Sequence, residues 1–210
     1  PLLSFAVMRL KCKSGIVITA SHNPSKYNGY KCYDPAGFQM TEEAAQATYE
    51  CIQKVDMFSD IKSMPFDEAM AKGLIEYIPD SVVEEFYSLV MQRPINPEVS
   101  KRSDIKIIYT PLNGTGNIPV RTILSRAGFK NVSVVKEQEM PDGKFPTCPY
   151  PNPEIRQVFE CGLKMTETEK ADLMLATDPD CDRVGIAVLT SGEYVLLSGN
   201  DVGVLLANYI

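Results

Sequence analysis

The residues best suited to chemistry follow directly on an apolar run at positions 16–18. Such a run predicts a buried strand, so the hydroxyl of Ser21 and the imidazole of His22 are expected at the end of that strand. Pro24 lacks a backbone N–H and keeps the residue before it out of the helical region, so no helix begins here. The serine is therefore expected in a loop, where either a nucleophile or an ordinary surface serine would fit.

A cationic group is predicted close to this serine. Asn28-Gly29 is a strong signal for a two-residue hairpin turn, and it leads back through Tyr30 to Lys31. If the hairpin forms, a nucleophile-type hydroxyl, an imidazole and an ammonium group can share one small space.

A second polar cluster occupies residues 178–183, between two apolar runs that predict strands. It contains Asp178, Asp180 and Asp182 at alternate positions. In a non-helical loop, alternate carboxylates can converge on one hard cation, which prefers oxygen ligands. Arg183 can bind a phosphate or a carboxylate with two hydrogen bonds. The alternative is an acidic turn in which Asp178 caps backbone donors.

Two other loop motifs are weighed against this interpretation. A calcium loop of the EF-hand type would need glycine at its sixth position and glutamate at its twelfth, where this chain has Arg183 and Leu189. The segment beginning at Asp180 also resembles the nucleophile loop of haloacid-dehalogenase-type phosphatases. The preceding strand is expected to end at Thr177, too early for that motif, which remains a minor alternative.

Together the two clusters resemble the α-D-phosphohexomutase family of phosphoglucomutases and phosphomannomutases. Residues 19–24, Thr-Ala-Ser-His-Asn-Pro, followed by Tyr-Asn-Gly-Tyr-Lys at 27–31, are similar to its active-site signature. Residues 178–183, Asp-Pro-Asp-Cys-Asp-Arg, resemble its metal loop and come in the same order. Residues 151–154, Pro-Asn-Pro-Glu, look like a signature of longer bacterial phosphoglucomutases and their phosphopentomutase-like relatives.

The resemblance implies a role for each candidate residue. Ser21 would carry a transferable phosphoryl group, and Lys31, ten positions later, would do acid-base work. Arg183 would contact the serine region, while His22 would either tune proton transfer or hold the loop in shape. One Mg²⁺ would be bound by oxygen atoms of four residues: Ser21, Asp178, Asp180 and Asp182.

The implied substrate is a sugar phosphate, with a glucose 1,6-bisphosphate-type activator. Interconversion of glucose 1-phosphate and glucose 6-phosphate is the favoured reaction, and phosphomannomutase or phosphopentomutase activity is the alternative. A metal-dependent sugar phosphatase and a non-catalytic metal-binding module are weaker hypotheses from other classes.

The composition of the chain indicates which classes of binding partner and which cellular compartment to expect. The net charge of -6 argues against a nucleic-acid partner, which usually requires a basic patch. No apolar run approaches the roughly 18 residues of a membrane span, so no membrane partner is predicted. The six cysteines are scattered without a Cys-x-x-Cys pair, which indicates reduced thiols, a cytoplasmic protein and no zinc site.

The pattern of apolar residues predicts an α/β fold with mixed, largely parallel sheets. Predicted helices cover residues 2–12, 42–56, 81–92 and 154–164. A further predicted helix has Pro119 in its first turn and reaches about residue 127. Predicted strands cover residues 16–20, 30–34, 74–78, 105–109, 132–135, 172–177 and 184–189.

Three domains are expected in this order: residues 1–100 as the C-terminal part of a first domain with the serine loop, 101–197 as a second α/β domain with the metal loop, and 198–210 as the truncated start of a third. The chain is thus expected to be a fragment of a longer polypeptide.

Within the second domain, Asn113-Gly114-Thr115-Gly116 predicts a tight turn, with a phosphate cradle at a helix N-terminus as the alternative.

Overall fold

The computed structural model describes all residues from 1 to 210. The chain divides into two compact units, one formed by residues 1–17 and 31–86, the other by residues 18–30 and 87–210. The serine loop therefore belongs to the same unit as residues 178–183. No helix in either unit has both the length and the apolar character that a membrane span requires.

The first unit combines short helices with a two-stranded sheet. Its elements are α1 (Leu2–Arg9), β1 (Gly15–Ile18), β2 (Tyr30–Tyr33), α2 (Glu42–Ile52), α3 (Phe66–Ala71) and most of α4 (Asp80–Met91). Helix α1 buries Val7 against Gly15, where an added Cβ would lie 2.4 Å from the valine Cγ2 atom. Thr41 caps α2 by accepting a hydrogen bond from the Ala44 backbone N–H at 3.3 Å, as its position before two glutamates predicts.

The prediction of a strand at residues 74–78 is wrong. These residues form a bend and an irregular segment, and their side chains are exposed, including Leu74 and Tyr77. A strand is stabilised by ladder hydrogen bonds to a neighbour, and the sheet of the first unit contains only β1 and β2. The apolar residues at 74–78 suggested a strand, but no neighbouring strand pairs with this segment.

The second unit is built on a five-stranded sheet with the strand order β4-β3-β5-β6-β7. The strands are β3 (Lys106–Thr110), β4 (Asn131–Val134), β5 (Leu173–Thr177), β6 (Val184–Thr190) and β7 (Glu193–Leu197). Strand β3 is parallel to β4 and β5, whereas β6 is antiparallel to both β5 and β7. The predicted α/β class with a mixed sheet is confirmed.

Helices cover this sheet and close its core. They are α5 (Pro97–Arg102), α6 (Asn117–Ala127), α7 (Glu160–Glu169) and α8 (Gly199–Tyr209), with 3₁₀ turns at Lys136–Gln138 and Arg156–Phe159. Ile108 of β3 and Met174 of β5 are nearly inaccessible to solvent and pack with Val158 and Phe159 of the second 3₁₀ turn. Both parallel strands are mainly apolar because a parallel strand in the middle of a sheet is covered on two faces.

Strand β7 and helix α7 of the second unit differ from the sequence-based expectation. Strand β7 was not predicted, although Ser191 and Gly192 before it have φ values of 52° and 86°, which suit a two-residue hairpin turn. The helix predicted at 154–164 begins at Glu160 and ends at Glu169. Its expected first turn is instead the 3₁₀ turn, which buries Val158 and Phe159 in the core.

The parallel pairing of β3 with β5 determines where the site can form. Parallel neighbours end at the same edge of a sheet, so the turn at 111–116 and the loop at 178–183 emerge side by side.

Candidate active site

Ser21 lies on a tight turn in an unusual backbone conformation. Its φ is 54°, in the left-handed region that few non-glycine residues adopt. Its backbone N–H donates to the Thr19 hydroxyl at 2.8 Å, and both the backbone N–H and the side-chain amide of Asn23 donate to the Ala20 carbonyl, at 3.1 and 2.9 Å. The motif thus holds the serine backbone in place by local hydrogen bonds. Such backbone outliers are common at functional sites.

The Ser21 hydroxyl lies beside the aspartate loop, although 157 residues separate it from Asp178 in sequence. The serine Oγ atom donates to Asp178 Oδ2 at 3.2 Å and is 3.4 Å from Asp180 Oδ1. The Nδ1 atom of His22 is 3.4 Å from the same hydroxyl. The serine, the imidazole and the carboxylates therefore meet within the second unit.

Asp178 organises the loop as well as facing the serine. It is fully buried, and its Oδ1 atom accepts hydrogen bonds from the backbone N–H groups of Asp182 and Arg183 at 3.1 and 2.9 Å. Its backbone carbonyl accepts from the N–H of Cys181, which has a φ of 58°. The capping role considered for Asp178 is thus present together with a carboxylate cluster.

The three aspartates bring one oxygen each to within 4.8 Å of one another. Burial is the main cause that raises the pKa of Asp178 to about 7, and a hydrogen bond from the protonated Asp178 to Asp180, together with the charges of Asp180 and Asp182, contributes in the same direction. Such a cluster resists full ionisation until a positive charge compensates it.

The donor set fits a hard cation such as Mg²⁺, which prefers oxygen ligands in an octahedral arrangement. Cys181, the only soft donor of the loop, lies on the other side of it, since its sulfur would be 2.9 Å from a Cβ atom at Gly116. Burial also raises the pKa of the Cys181 thiol, which keeps it protonated. The thiol therefore packs as a small apolar group beside an all-oxygen cluster.

Two further residues were predicted to belong to the site, Arg183 and Lys31. Arg183 is exposed, and its guanidinium lies 4.0 Å from the Glu154 carboxylate, near the outer limit of an ion pair. Lys31 is the second residue of β2 and belongs to the first unit. Its action on the serine therefore stays a prediction.

The sequence predicted a tight structural turn at 113–116, with a phosphate cradle as the alternative, and gave Glu154 no role. In the structure the Thr115 backbone N–H donates to the Pro179 carbonyl at 2.8 Å, so the turn contacts the aspartate loop directly. A signal existed: Gly-Thr-Gly follows β3, and the aspartates follow a strand that could be its parallel neighbour.

Comparison with protein families gives one match that contains the serine motif and another that contains the aspartate loop. The family described as phosphoglucomutase/phosphomannomutase, alpha/beta/alpha domain II, matches residues 84–192, and domain I of the same family matches residues 1–58.

Individual relatives agree with this assignment. A phosphoglucomutase from Staphylococcus saprophyticus is 36% identical over 207 residues, which cover 98% of this chain and 37% of the relative. A phosphomannomutase from Mycoplasmoides pirum is 29% identical over 209 residues, which cover this whole chain and 38% of that protein. The chain thus spans less than two fifths of the length of these relatives.

Among solved structures, a Thermus thermophilus protein assigned as a phosphomannomutase superposes with a TM-score of 0.76 at 27% identity. The superposition covers all of this chain and 43% of the other. The domain II match alone extends over more than half of the residues, from within the first half of α4 to the turn before β7. The resemblance first suggested by the serine and aspartate motifs is therefore confirmed, and this chain belongs to the phosphoglucomutase/phosphomannomutase family.

Proposed function

We propose that the natural protein containing this chain is a phosphohexomutase, an isomerase that interconverts glucose 1-phosphate and glucose 6-phosphate through a phosphoserine at Ser21. One observation carries the proposal: the Ser21 hydroxyl lies 3.2 and 3.4 Å from two carboxylates of a three-aspartate cluster. A transferable phosphoryl group on this oxygen would sit at the one place in the second unit where three acidic groups converge.

The reaction has two matched halves. In the first, the bond between phosphorus and Ser21 Oγ breaks as a bond forms to a sugar hydroxyl, whose proton passes to a base. In the second, the other phosphoryl group of the resulting bisphosphate returns to Ser21 Oγ, and the freed sugar oxygen regains a proton. Lys31 is proposed as the group that takes and returns this proton, with His22 at the serine hydroxyl as the residue that tunes or orients it.

The carboxylates would repel a phosphoserine unless a cation compensated their charge. We propose that Asp178, Asp180, Asp182 and Ser21 hold one Mg²⁺, which when bound supplies charge stabilisation for the transferring phosphoryl group. Asp178 contributes to this site even without a cation, because its bonds to two backbone N–H groups hold the loop closed. Arg183 is proposed to bind phosphate oxygens with its guanidinium.

The substrate assignment rests on the relatives. The Staphylococcus phosphoglucomutase is 36% identical and the Mycoplasmoides phosphomannomutase 29%, which favours glucose phosphates over mannose phosphates. A glucose 1,6-bisphosphate-type activator would phosphorylate Ser21 at the start.

We propose that residues 1–100, 101–197 and 198–210 belong to three successive domains of the natural protein. We also propose a cytoplasmic location for that protein. All six cysteines are free thiols, which supports a cytoplasmic location.

The proposal is tested by assaying the natural full-length protein on glucose 1-phosphate with Mg²⁺ and glucose 1,6-bisphosphate. Glucose 6-phosphate and inorganic phosphate are measured in parallel. We expect glucose 6-phosphate without matching phosphate release, abolished in Ser21→Ala and kept in Ser125→Ala, a change at an exposed serine of α6. Sustained phosphate release would identify a phosphatase instead, and binding of Mg²⁺ without either product would identify a binding module.

A further inference from the structure

Residues at alternate positions along the loop after β5 have different neighbours. Its even-numbered residues, Asp178, Asp180 and Asp182, supply the clustered carboxylates. Thr177, the last residue of β5, and the odd-numbered loop residues Pro179 and Cys181 contact the turn that follows β3, because Cβ atoms built at Gly114 and Gly116 would collide with all three. The turn therefore lies directly behind the carboxylates, on the side of the loop opposite to its contacts with Ser21.

Thr115 makes two hydrogen bonds to one carbonyl group of this loop. Its backbone N–H donates to the Pro179 oxygen at 2.8 Å, and its hydroxyl donates to the same oxygen at 3.1 Å. Pro179 separates Asp178 from Asp180, so these bonds hold the peptide between the two carboxylates that face Ser21. A carbonyl oxygen has two lone pairs, and Thr115 uses both.

The two glycines beside Thr115 permit this close approach. An added Cβ at Gly114 would lie 2.4 Å from the Cα atom and 2.5 Å from the carbonyl oxygen of Pro179. At Gly116 it would lie 2.6 Å from the Thr177 and Tyr109 hydroxyl oxygens. The first clash is with backbone atoms, which cannot rotate away, so any side chain at Gly114 must displace the aspartate loop.

The turn itself is anchored from behind. The backbone N–H of Asn113 donates to the Gln138 carbonyl at 2.8 Å, and the Asn113 side chain donates to the Met140 carbonyl at 2.8 Å. Gln138 is 1% exposed and accepts a hydrogen bond from the Thr110 hydroxyl at 2.7 Å. A buried network of this kind makes the turn a fixed support, so that strain from a larger residue would pass to the loop.

We infer that Thr115, together with Gly114 and Gly116, is a positioning element that sets the spacing of the carboxylates for a divalent cation. The inference rests on the proposed function, since it assumes that the cluster binds metal. Mg²⁺ requires near-ideal octahedral geometry, so displacement of the Pro179 peptide should weaken binding without removing any ligand. Residues that orient metal ligands commonly affect metal affinity by roughly 10- to 100-fold.

The test measures Mn²⁺ binding to the natural full-length protein by titration calorimetry and by the electron paramagnetic resonance signal of free Mn²⁺. Gly114→Ala is expected to weaken binding by at least roughly ten-fold and Thr115→Val by several-fold. Thr115→Ser, which restores the hydroxyl, is expected to bind almost as the wild type does.

Two matched controls make the same kinds of change elsewhere in the chain. Gly143→Ala adds a methyl group where nothing lies within 4 Å, and Thr168→Val removes an exposed threonine hydroxyl from α7. Neither should change the Mn²⁺ affinity. A role confined to folding would lower the melting temperature of Thr115→Val but leave its Mn²⁺ affinity unchanged.

The outcomes separate the two proposals. Wild-type affinity in both Thr115→Val and Gly114→Ala would overturn the positioning role while leaving the metal site in place. If the wild type itself bound no Mn²⁺, the metal site of the proposed function would fail first. Should Gly114→Ala not fold, the comparison of Thr115→Val with Thr115→Ser decides the question.

Discussion

At the scale of single residues, Asp178 and Asp180 have different tasks. Asp178 is buried and bonded to two backbone N–H groups, so its loss would open the loop as well as the cluster. Asp180 is only half-buried, and its carboxylate faces the Ser21 hydroxyl. Asp180 is therefore the better position at which to test charge separately from folding.

We predict that Asp180→Asn in the full-length protein lowers both turnover and Mn²⁺ affinity by at least roughly ten-fold, because one anionic ligand is lost from the proposed hard-cation site. The melting temperature should change little, since no core side chain is removed. Asp67→Asn, an exposed change in α3, serves as the matched control. Equal turnover of Asp180→Asn and wild type at the same Mg²⁺ concentration would remove Asp180 from the mechanism.

Tyr109 gives a prediction about alkaline stability. Burial raises the pKa of its hydroxyl well above the ordinary value, with a hydrogen bond to Thr177 opposing the shift in part. The folded protein thus holds this proton more tightly than the unfolded chain, whose tyrosines ionise near pH 10. The contribution is complete below about pH 10 and is lost as the pH rises above it.

Absorbance of tyrosinate, followed together with circular dichroism, measures this effect. Of the ten tyrosines, Tyr109 should ionise only as the protein unfolds. The Tyr109→Phe variant should therefore lack the part of the absorbance change that coincides with unfolding. The account of this side chain is wrong if the variant instead loses amplitude at a pH where the protein is still folded.

At the scale of elements, strand β6 and the loop before the 3₁₀ turn Arg156–Phe159 approach each other closely. A Cβ atom at Gly185 would lie 1.9 Å from the Pro153 carbonyl oxygen, and Pro153 is itself fully buried. We predict that Gly185→Ala lowers the free energy of unfolding by about 1–3 kcal/mol or more, as overpacking does.

Urea denaturation followed by circular dichroism measures that change. Gly203→Ala is the control, because nothing lies within 4 Å of its new methyl group inside α8, and it should be neutral or stabilising by up to about 1 kcal/mol. If both variants unfold at the wild-type urea concentration, the packing of Pro153 against β6 is looser than described.

The same elements indicate how far the sequence alone predicts the structure. Local signals located β3, β5 and β6, and the two polar motifs that follow strands, because hydrophobic runs and special residues are readable without tertiary contacts. The segment at 74–78 was misassigned because only a neighbouring strand could decide its state. Thr115 was missed because its partner Pro179 is brought to it by the pairing of β3 with β5, which is not a local property.

At the scale of the whole molecule, the chain contains the serine motif and the aspartate cluster but spans less than two fifths of the length of its relatives. A mutase must bind the sugar in two orientations so that each oxygen meets the serine in turn. Orientation of this kind can contribute roughly 7–11 kcal/mol to lowering a barrier. Residues that would supply these contacts are therefore expected elsewhere in the full-length protein.

We accordingly predict that the 210-residue chain, expressed alone, does not interconvert glucose phosphates at a detectable rate. A coupled assay with glucose 1-phosphate, Mg²⁺ and glucose 1,6-bisphosphate measures this, with the full-length protein as the positive control. Turnover close to that of the full-length protein would mean that the site is complete within these residues.

The central claim is that Ser21 carries the phosphoryl group, and peptide mass spectrometry tests it most directly. Full-length protein is incubated with glucose 1,6-bisphosphate and Mg²⁺ and digested with trypsin, and the peptide spanning residues 14–26 is fragmented to distinguish Ser21 from Ser14, Thr19 and Ser25. The account predicts phosphate on Ser21 that disappears when excess glucose 6-phosphate is added before digestion. Phosphate on another residue, or normal turnover by Ser21→Ala, would contradict it.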